Sequence, residues 1–282
     1  HSGDVPLLRI VEVLSTAPAR LPMQSVRPKK SLGQHFLNDN TIAKRIADTL
    51  DEFSQLPVLE VGPGTGVLTR HLIDKKKDLT VVEIDRESVA YLKEHFVDLK
   101  HERIIEADFL QLDLARLYKN KFCVIGNYPY NISSQIFFKV LDYRDVIPCC
   151  TGMIQKEVAL RLAAEPGSKI YGILSVLLQV WYDIEYLFTV HENAFTPPPK
   201  VKSAVIRLVR NSRTTMNCNE KLFKSVVKTS FNRRRKMLRN SLKPLMGENT
   251  EVFQHPIFKQ RPEQLSIAQF EEITNMIEPY IA

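Results

Sequence analysis

Short runs of apolar, often β-branched residues alternate with longer segments in which apolar residues recur at helical spacing. The strand-like runs lie at residues 58–61, 79–84, 103–106, 122–126 and 152–155. The helical segments between them lie at residues 67–73, 88–96 and 134–141. Because strands that alternate with helices pair in parallel and are covered on both faces, this order predicts a doubly wound α/β domain.

The second half of the chain changes its pattern twice. Residues 184–190 and 204–209 form two further strand-like runs, and the Pro197-Pro198-Pro199 segment between them can be neither helix nor inner strand. We therefore predict an antiparallel edge of the sheet. After Arg210 only helical patterns remain, and they lie at residues 222–231, 233–242 and 267–280, with Ser266 as a candidate N-cap of the last.

These changes predict three segments. Residues 1–24 have no clear period and contain three prolines, so we interpret them as a flexible extension or a cloning remnant outside the fold. Residues 25–211 are expected to form the α/β domain. Residues 212–282 are expected to form a small all-helical domain.

Composition excludes several classes of protein. Hydrophobic residues make up 44% of the 282 positions and charged residues 25%, which is ordinary for a globular protein. The longest apolar stretch, residues 172–181, is about half of what a membrane-spanning helix needs, so no membrane partner is expected. The four cysteines lack the spacing of zinc ligands or of a disulfide framework. These features predict a reduced, cytoplasmic protein without a metal.

Positive charge is concentrated late in the chain. The net charge is +7, and residues 200–248 carry 14 Lys and Arg but only two Glu. Such asymmetry is typical of a region that binds a polyanion, nucleic acid above all. The alternative is a basic helix face that serves only solubility.

A glycine-rich loop follows the first strand. Gly62, Gly64 and Gly66 stand at the point where the strand ends and the first helix begins, which allows a tight turn and close approach of a ligand. The spacing is one residue shorter than the dinucleotide fingerprint and has no phosphate-loop lysine. The loop indicates a nucleotide-like ligand, and a plain strand-to-helix turn is the alternative.

Carboxylates end the next two strands. Glu83 lies 21 positions beyond Gly62, where a carboxylate can bind ribose hydroxyls. An acid there disfavours a 2′-phosphate but is compatible with NAD or S-adenosylmethionine. Asp108 follows the third strand and could accept from an adenine amine, although a lone Asp at this place is more often a helix cap.

The fourth strand leads into Asn127-Tyr128-Pro129-Tyr130-Asn131-Ile132-Ser133. The N6 amine of adenine is a poor nucleophile because its lone pair is delocalised into the ring. Two acceptors, the Asn127 side-chain carbonyl and a backbone carbonyl exposed by the stiff Pro129, could bind its hydrogens and localise the lone pair. Tyr130 offers a flat face on which an extracted base can stack.

With these motifs in place, the chain resembles the ribosomal RNA small-subunit adenine N6,N6-dimethyltransferases, the kasugamycin-sensitivity methyltransferase group. The resemblance runs from about residue 27 to the end and is carried by residues 29–37, 60–66, Glu83, Asp108, 127–133 and 195–203. It implies a Rossmann-like fold, S-adenosylmethionine as cofactor, and dimethylation of two adjacent adenosines in a loop near the 3′ end of small-subunit rRNA. It further implies small-subunit rRNA and the immature small subunit as partners, a role in small-subunit biogenesis, and a monomeric enzyme.

Site residues follow from the resemblance, position by position. Bound cofactor is expected at His35, Leu37, Gly62, Gly64, Glu83, Asp108 and Asn127, and the target base at Asn127, Tyr130 and Phe195. The chain departs from the family pattern at Tyr128, where Leu is common, and at His35, where Asn is common. Because the backbone carbonyl is the group expected to act at position 128, we expect a different side chain there to leave methyl transfer intact.

The basic segment is expected to bind RNA. On a helix, Arg233, Arg234, Arg235, Lys236 and Arg239 could not all share one face, which favours phosphate contacts over sequence readout. Lys200 and Lys202 belong to the same predicted surface. The helical domain would then position RNA, and the target adenines would be single-stranded or flipped out.

Three other functions remain open. A large-subunit rRNA adenine methyltransferase of the macrolide-resistance type shares the catalytic motifs but is disfavoured by residues 195–203 and the long basic region. A non-catalytic ribosome-assembly factor is opposed by intact Asn127, Tyr130 and Glu83. A nicotinamide dehydrogenase is opposed by the glycine spacing.

Overall fold

A computed structural model describes residues 26–281, which form two compact units. The first unit comprises residues 26–156 together with Glu185–Val209, and the second comprises Glu157–Ile184 together with residues 210–281. The predicted extension, residues 1–24, lies outside the described residues. Among residues 26–281, no helix has the length and apolar character that a membrane span requires.

The strands form two β-sheets that lie in the first unit except for residues 182–184 and Arg210, which belong to the second. The strands are β1 (Phe36–Leu37), β2 (Val58–Val61), β3 (Leu79–Glu83), β4 (Ile104–Glu106), β5 (Cys123–Asn127), β6 (Cys149–Gln155), β7 (Tyr182–Val190), β8 (Phe195–Thr196) and β9 (Ser203–Arg210). Seven strands form one sheet in the order β4-β3-β2-β5-β6-β9-β7, and β1 pairs with β8 in a second, two-stranded sheet. The pairs among β2 to β6 are parallel, whereas β9 pairs antiparallel with β6. The predicted antiparallel pairing is therefore confirmed for β9, and β7 lies at the edge of the sheet.

Helices connect the parallel strands, as the alternating pattern predicts. The chain forms α1 (Asn40–Asp48), α2 (Val67–Asp74), α3 (Arg86–His95), α4 (Leu114–Leu117) and α5 (Ser133–Asp142) in this unit. Strands β2 and β3 are buried along their whole length, with Val58 and Val81 at 0% exposure. Helices on both faces explain why these strands read as continuous apolar runs rather than as alternating ones. The doubly wound α/β fold is confirmed.

The parallel strands end at one edge of the large sheet. Strand β2 ends at Val61, β3 at Glu83 and β5 at Asn127. Register places Val61 beside both Val82 and Gly126, so the three strand ends are neighbours. In open α/β sheets, this carboxyl edge is where ligands bind.

The second unit is helical. Its helices are α6 (Lys156–Ala163), whose first residue belongs to the first unit, α7 (Ile173–Gln179), α8 (Glu220–Asn232), α9 (Leu238–Ser241), α10 (Lys243–Met246) and α11 (Ile267–Ile277). The Phe223 ring meets the Phe270 ring edge-on, with centroids 6.4 Å apart. Ser266 accepts a hydrogen bond from the Gln269 N–H at 3.2 Å, which confirms the predicted N-cap.

The structure corrects two predictions about this unit. The predicted domain of residues 25–211 includes Glu157–Ile184, but this segment packs with the C-terminal helices instead. Its helical periodicity shows that α7 has an apolar face but cannot show which neighbour covers that face. The predicted helix 233–242 is also interrupted, because α8 ends at Asn232 and α9 begins only at Leu238. Successive like charges disfavour one continuous helix there, and the Leu238 N–H bonds the Gln260 carbonyl at 2.9 Å.

Candidate active site

A cleft at the carboxyl edge of β2, β3 and β5 brings together most of the predicted cofactor and target-base residues. The predicted residues that line it are His35, Gly62, Gly64, Glu83, Asn127 and Tyr130. They come from widely separated parts of the sequence. The cleft is also lined by Leu32, Gly33, Gln34 and Phe36, which lie in the segment that carries the resemblance but were not assigned as contacts. Sequence reasoning missed Ile84, which is 47% exposed beside Glu83.

The glycine loop owes its shape to left-handed backbone. Gly62 has φ 69° and Gly64 has φ 55°, which L-residues with side chains rarely adopt. A Cβ on Gly64 would also lie 3.1 Å from the Phe36 ring. The loop backbone can therefore stay this close to Phe36, and to a ligand in the cleft, only with glycine at position 64.

Glu83 is held rigidly at the edge of the cleft. The side chain is 3% exposed, and its two carboxylate oxygens accept the N–H groups of Gly64 and Asp85, each at 2.9 Å. Burial raises the pKa of Glu83 above its ordinary value, although the two backbone hydrogen bonds oppose this shift. Each oxygen keeps a lone pair, so the carboxyl group can accept from a pair of vicinal hydroxyls.

The segment that carries His35 is tied to the same edge of the sheet. The Lys29 ammonium lies 3.1 Å from Asp85 and 3.2 Å from Glu87. Burial alone would raise the pKa of Asp85, but hydrogen bonds from Ser88 and Lys29 outweigh it and hold that pKa below its ordinary value. The ion pairs therefore help to keep residues 29–36 beside the cleft.

Asn127 is oriented by the backbone of His35. Its side-chain amide donates to the His35 carbonyl at 3.0 Å. Among residues 26–281, no donor is bonded to the Asn127 side-chain oxygen. The donor half of the amide is thus committed to the protein, and the acceptor half remains free at the cleft.

Tyr130 is fixed from two directions. Its hydroxyl is hydrogen bonded to the Ser203 hydroxyl, and its ring stacks on His35 with centroids 5.1 Å apart and an interplanar angle of 30°. The His35 Nδ1–H in turn donates to the Pro197 carbonyl at 2.9 Å. Burial raises the pKa of Tyr130, although the hydrogen bond to Ser203 opposes this shift. The His35 side chain thus faces the Tyr130 ring.

Three predicted residues do not line this cleft. Leu37 and Phe195 pair in the two-stranded sheet and belong to the hydrophobic core, at 5% and 2% exposure. Asp108 accepts the Leu110 N–H at 3.0 Å and lines a neighbouring depression with Gln111. Asp108 therefore occupies the capping position that the sequence left open as its alternative.

Glu60 is the acidic residue that sequence reasoning passed over. It is 1% exposed and lines a small cavity with Leu37, Gly64 and Asn127. The Thr69 hydroxyl donates to its carboxyl group at 2.6 Å. Burial raises the pKa of Glu60 to about 8, and the nearby Glu83 charge adds to this shift. An acid inside an otherwise apolar strand was the signal that could have identified it.

We expect Glu60→Gln to stabilise the protein at pH 8 but not at pH 4. As pH rises from about 4.5 to about 8, the unfolded carboxyl ionises while the folded one keeps its proton, so the free energy of unfolding falls. Glutamine has no such titration and still accepts from Thr69. The variant should gain about 2–4 kcal/mol over wild type between these pH values. Urea unfolding from pH 4 to 9 measures the difference, and a difference independent of pH would contradict the buried, protonated Glu60.

The predicted RNA-binding residues of the second unit are of two kinds. Arg234 donates to the Tyr171 carbonyl at 2.6 Å, and its guanidinium lies 3.7 Å from Glu263. The other predicted RNA-binding residues of the segment are exposed, and no protein partner bonds their side chains in the described part of the chain: Arg233, Arg235, Lys236 and Arg239. Of the predicted RNA-binding residues in this segment, these four have side chains free to bind phosphate among the described residues.

Lys200 and Lys202 lie in the first unit. Both are exposed and flank Val201, which is 47% exposed. Ser203, which holds the Tyr130 hydroxyl, follows directly. The two lysines are therefore close in sequence to Ser203, the residue that holds the Tyr130 side chain at the cleft.

Comparisons with solved structures match this architecture. A dimethyladenosine transferase from Plasmodium falciparum superposes with a TM-score of 0.71 at 23% identity, over 87% of this chain and 98% of that one. The 23S rRNA methyltransferase ErmE superposes with a TM-score of 0.63 at 28% identity, over 85% and 99%. The fold is thus that of known methyltransferases.

Sequence comparisons are more specific. Residues 26–279 match the family described as ribosomal RNA adenine dimethylase. A Parabacteroides distasonis protein named ribosomal RNA small subunit methyltransferase A is 68% identical over 252 residues, which cover 89% of this chain and 94% of that protein. Its namesake in Phocaeicola vulgatus is 62% identical over 257 residues, 91% of each chain. The predicted resemblance is confirmed, and the chain belongs to the ribosomal RNA adenine dimethylase family.

Proposed function

We propose that this protein transfers methyl groups from S-adenosylmethionine to N6 of two adjacent adenosines in a loop near the 3′ end of small-subunit rRNA. The product would be N6,N6-dimethyladenosine. The observation that carries the proposal is the free side-chain oxygen of Asn127, held at the cleft beside Tyr130 by the hydrogen bond to His35. Relatives of 62–68% identity that bear a small-subunit name support the choice of RNA.

The cleft has the donors and acceptors that an adenosyl cofactor requires. Glu83 would accept from the ribose hydroxyls with the lone pairs that Gly64 and Asp85 leave free. The left-handed glycine loop would let the backbone approach the ligand closely. When bound, S-adenosylmethionine supplies an activated methyl group on its sulfonium, so the protein needs to orient and desolvate the reactants.

The target amine is the less reactive of the two reactants. Asn127 would accept one N6 hydrogen through its side-chain oxygen, and the Tyr128 backbone carbonyl would accept the other. These bonds localise the nitrogen lone pair and aim it at the donor methyl group. Tyr130, with its hydroxyl held by Ser203, would stack on the base, which is worth about 1–3 kcal/mol.

The partners would be small-subunit rRNA within an immature subunit in the cytoplasm, bound by a monomer. Phosphates would be contacted by exposed Lys200 and Lys202 and by four exposed cations that have no partner among residues 26–281, Arg233, Arg235, Lys236 and Arg239. Phosphate contacts position RNA without reading its sequence. Selection of the adenines would then come from the cleft.

Radiolabelled methyl transfer tests the proposed function. Small subunits from a strain without this modification would be incubated with the protein and labelled S-adenosylmethionine, beside large subunits, and primer extension would map the sites. We expect label in two adjacent adenosines of the small-subunit rRNA. Label in large-subunit rRNA would favour the macrolide-resistance type, and binding of the small subunit without label would favour an assembly factor.

The two kinds of arginine give a matched test of RNA binding. Replacing both Arg233 and Arg235 with alanine should weaken rRNA binding about tenfold and reduce the slope of log affinity against log salt by about 1.5. Replacing Arg234 with alanine should instead lower thermal stability, because the Tyr171 carbonyl and Glu263 lose their partner.

Filter binding at several salt concentrations and thermal melting of all three proteins measure these effects. An unchanged salt slope in the Arg233 and Arg235 double variant would assign those residues to a solvated surface. A reduced slope with unchanged stability in Arg234→Ala would mean that Arg234 binds phosphate after all.

A further inference from the structure

Tyr128 carries a side chain that the reaction itself does not use. The residue is 1% exposed, although it borders the cleft between Asn127 and Pro129. Its phenol hydroxyl donates to the Thr151 carbonyl at 2.7 Å, and its backbone N–H donates to the Met153 carbonyl at 3.0 Å. Both acceptors lie on β6. Tyr128 is therefore attached to the neighbouring strand at two points.

The ring of Tyr128 fills space that two paired glycines leave open. Gly126 on β5 stands beside Gly152 on β6 in the parallel register. A Cβ on Gly126 would lie 3.1 Å from the Tyr128 ring, and a Cβ on Gly152 would lie 2.7 Å from it. The fit between one large ring and two absent side chains leaves the ring little freedom to shift.

The strand that anchors Tyr128 is itself fixed. The Thr151 hydroxyl donates to the Ile206 carbonyl at 2.9 Å and is hydrogen bonded to the Thr49 hydroxyl at 2.9 Å. Thr151 is 0% exposed. The phenol of Tyr128 thus bonds to a buried, central strand of the sheet rather than to a surface loop.

The carbonyl oxygen of Tyr128, in contrast, accepts no hydrogen bond from any backbone or side-chain donor within residues 26–281. Its position is therefore determined by the groups on either side of it in the chain. These are the anchored Tyr128 side chain and N–H, and the Pro129 ring, which restricts the backbone that follows.

We propose that Tyr128 is a positioning residue for methyl transfer: its buried phenol pins the turn so that its own carbonyl oxygen stays in place to accept a hydrogen of the target amine. The inference rests on the proposed function, because it assigns that oxygen a role in adenine N6 methylation. The proposal gives the Tyr128 phenol a function at a position where the backbone carbonyl, and not the side chain, would contact the target amine. A displacement of about 1 Å in such an acceptor can cost up to about a hundredfold in rate.

Tyr128→Phe removes the phenol hydroxyl and keeps the ring. We expect the single-turnover rate of methyl transfer to undermethylated small subunits to fall about tenfold, with the affinities for S-adenosylmethionine and for the subunit unchanged within twofold. Calorimetric titration with S-adenosylmethionine gives both the affinity and the fraction of folded sites. Tyr128→Leu, which removes the ring as well, should lower the rate further.

Tyr171→Phe is a matched control in the helical unit. The Tyr171 hydroxyl donates to the Leu265 carbonyl at 2.8 Å, and the residue is 1% exposed, as Tyr128 is. Both variants should lose similar thermal stability, but Tyr171→Phe should keep the wild-type rate per folded site. Equal rates in Tyr128→Phe and wild type would overturn the positioning role. Absence of methyl transfer in wild type would instead refute the proposed function.

Discussion

Replacing Asn127 with alanine should lower the rate of methyl transfer by about 10²–10³-fold. The side-chain oxygen is the acceptor that we assign to the target amine, and alanine offers nothing in its place. The affinity for S-adenosylmethionine should fall only a few fold, through loss of the 3.0 Å hydrogen bond to the His35 carbonyl. Single-turnover transfer to undermethylated small subunits, with cofactor binding by calorimetry, separates the two effects.

Asn131→Ala is the control for this variant. Asn131 lies in the same turn and is exposed, and its side chain makes no hydrogen bond to any described residue. We expect its transfer rate to stay within about twofold of wild type, because surface substitutions of this kind have small effects. Near-normal turnover in Asn127→Ala would refute the role of its oxygen in localising the lone pair.

Gly152→Ala should destabilise the protein by about 3–5 kcal/mol. Gly152 has φ 146°, and a Cβ there would overlap the Gly126 carbonyl oxygen of the adjacent strand and lie 2.7 Å from the Tyr128 ring. The backbone at Gly152 is paired with β5 on one side and with β9 on the other, so it cannot move aside without loss of ladder hydrogen bonds. Chemical denaturation of wild type and variant measures the change.

Gly167→Ala separates crowding from backbone strain. Gly167 also has a positive φ, 96°, but a Cβ there would meet no atom within 4 Å. Its substitution should cost only about 1 kcal/mol, from the unfavourable backbone conformation alone. Similar losses in the two variants would mean that the Gly126–Gly152 pair is not as tightly packed as the distances indicate.

The sheet and its edge were predictable because their signals are local. Periods of two and 3.6 residues arise from the geometry of each element, so the strands ending at Val61, Glu83 and Asn127 could be placed before any contact was known. Parallel strands that alternate with helices share a carboxyl edge. That rule alone brings the glycine loop, Glu83 and the Asn127 turn together in the observed cleft.

Roles that depend on a distant partner were not predictable in this way. Arg233 and Arg234 are identical in type and adjacent in sequence, yet only Arg234 meets Glu263 and the Tyr171 carbonyl. Asp108 could have faced a ligand, but it bonds the Leu110 N–H. Phe195 follows from the family resemblance as a base-enclosing residue, whereas its side chain is 2% exposed in the core. Its contact with a base remains a prediction.

Sequence alone therefore determined the α/β fold, the order of the motifs and the edge at which they meet, since backbone periodicity and strand direction act over a few residues. Tertiary structure alone decided that Glu157–Ile184 joins the helical unit, that burial raises the pKa of Glu60 to about 8, and that Tyr128 bonds to β6. Burial and hydrogen-bond partners arise from segments far apart in the chain. Their free energies depend on packing that no local pattern contains.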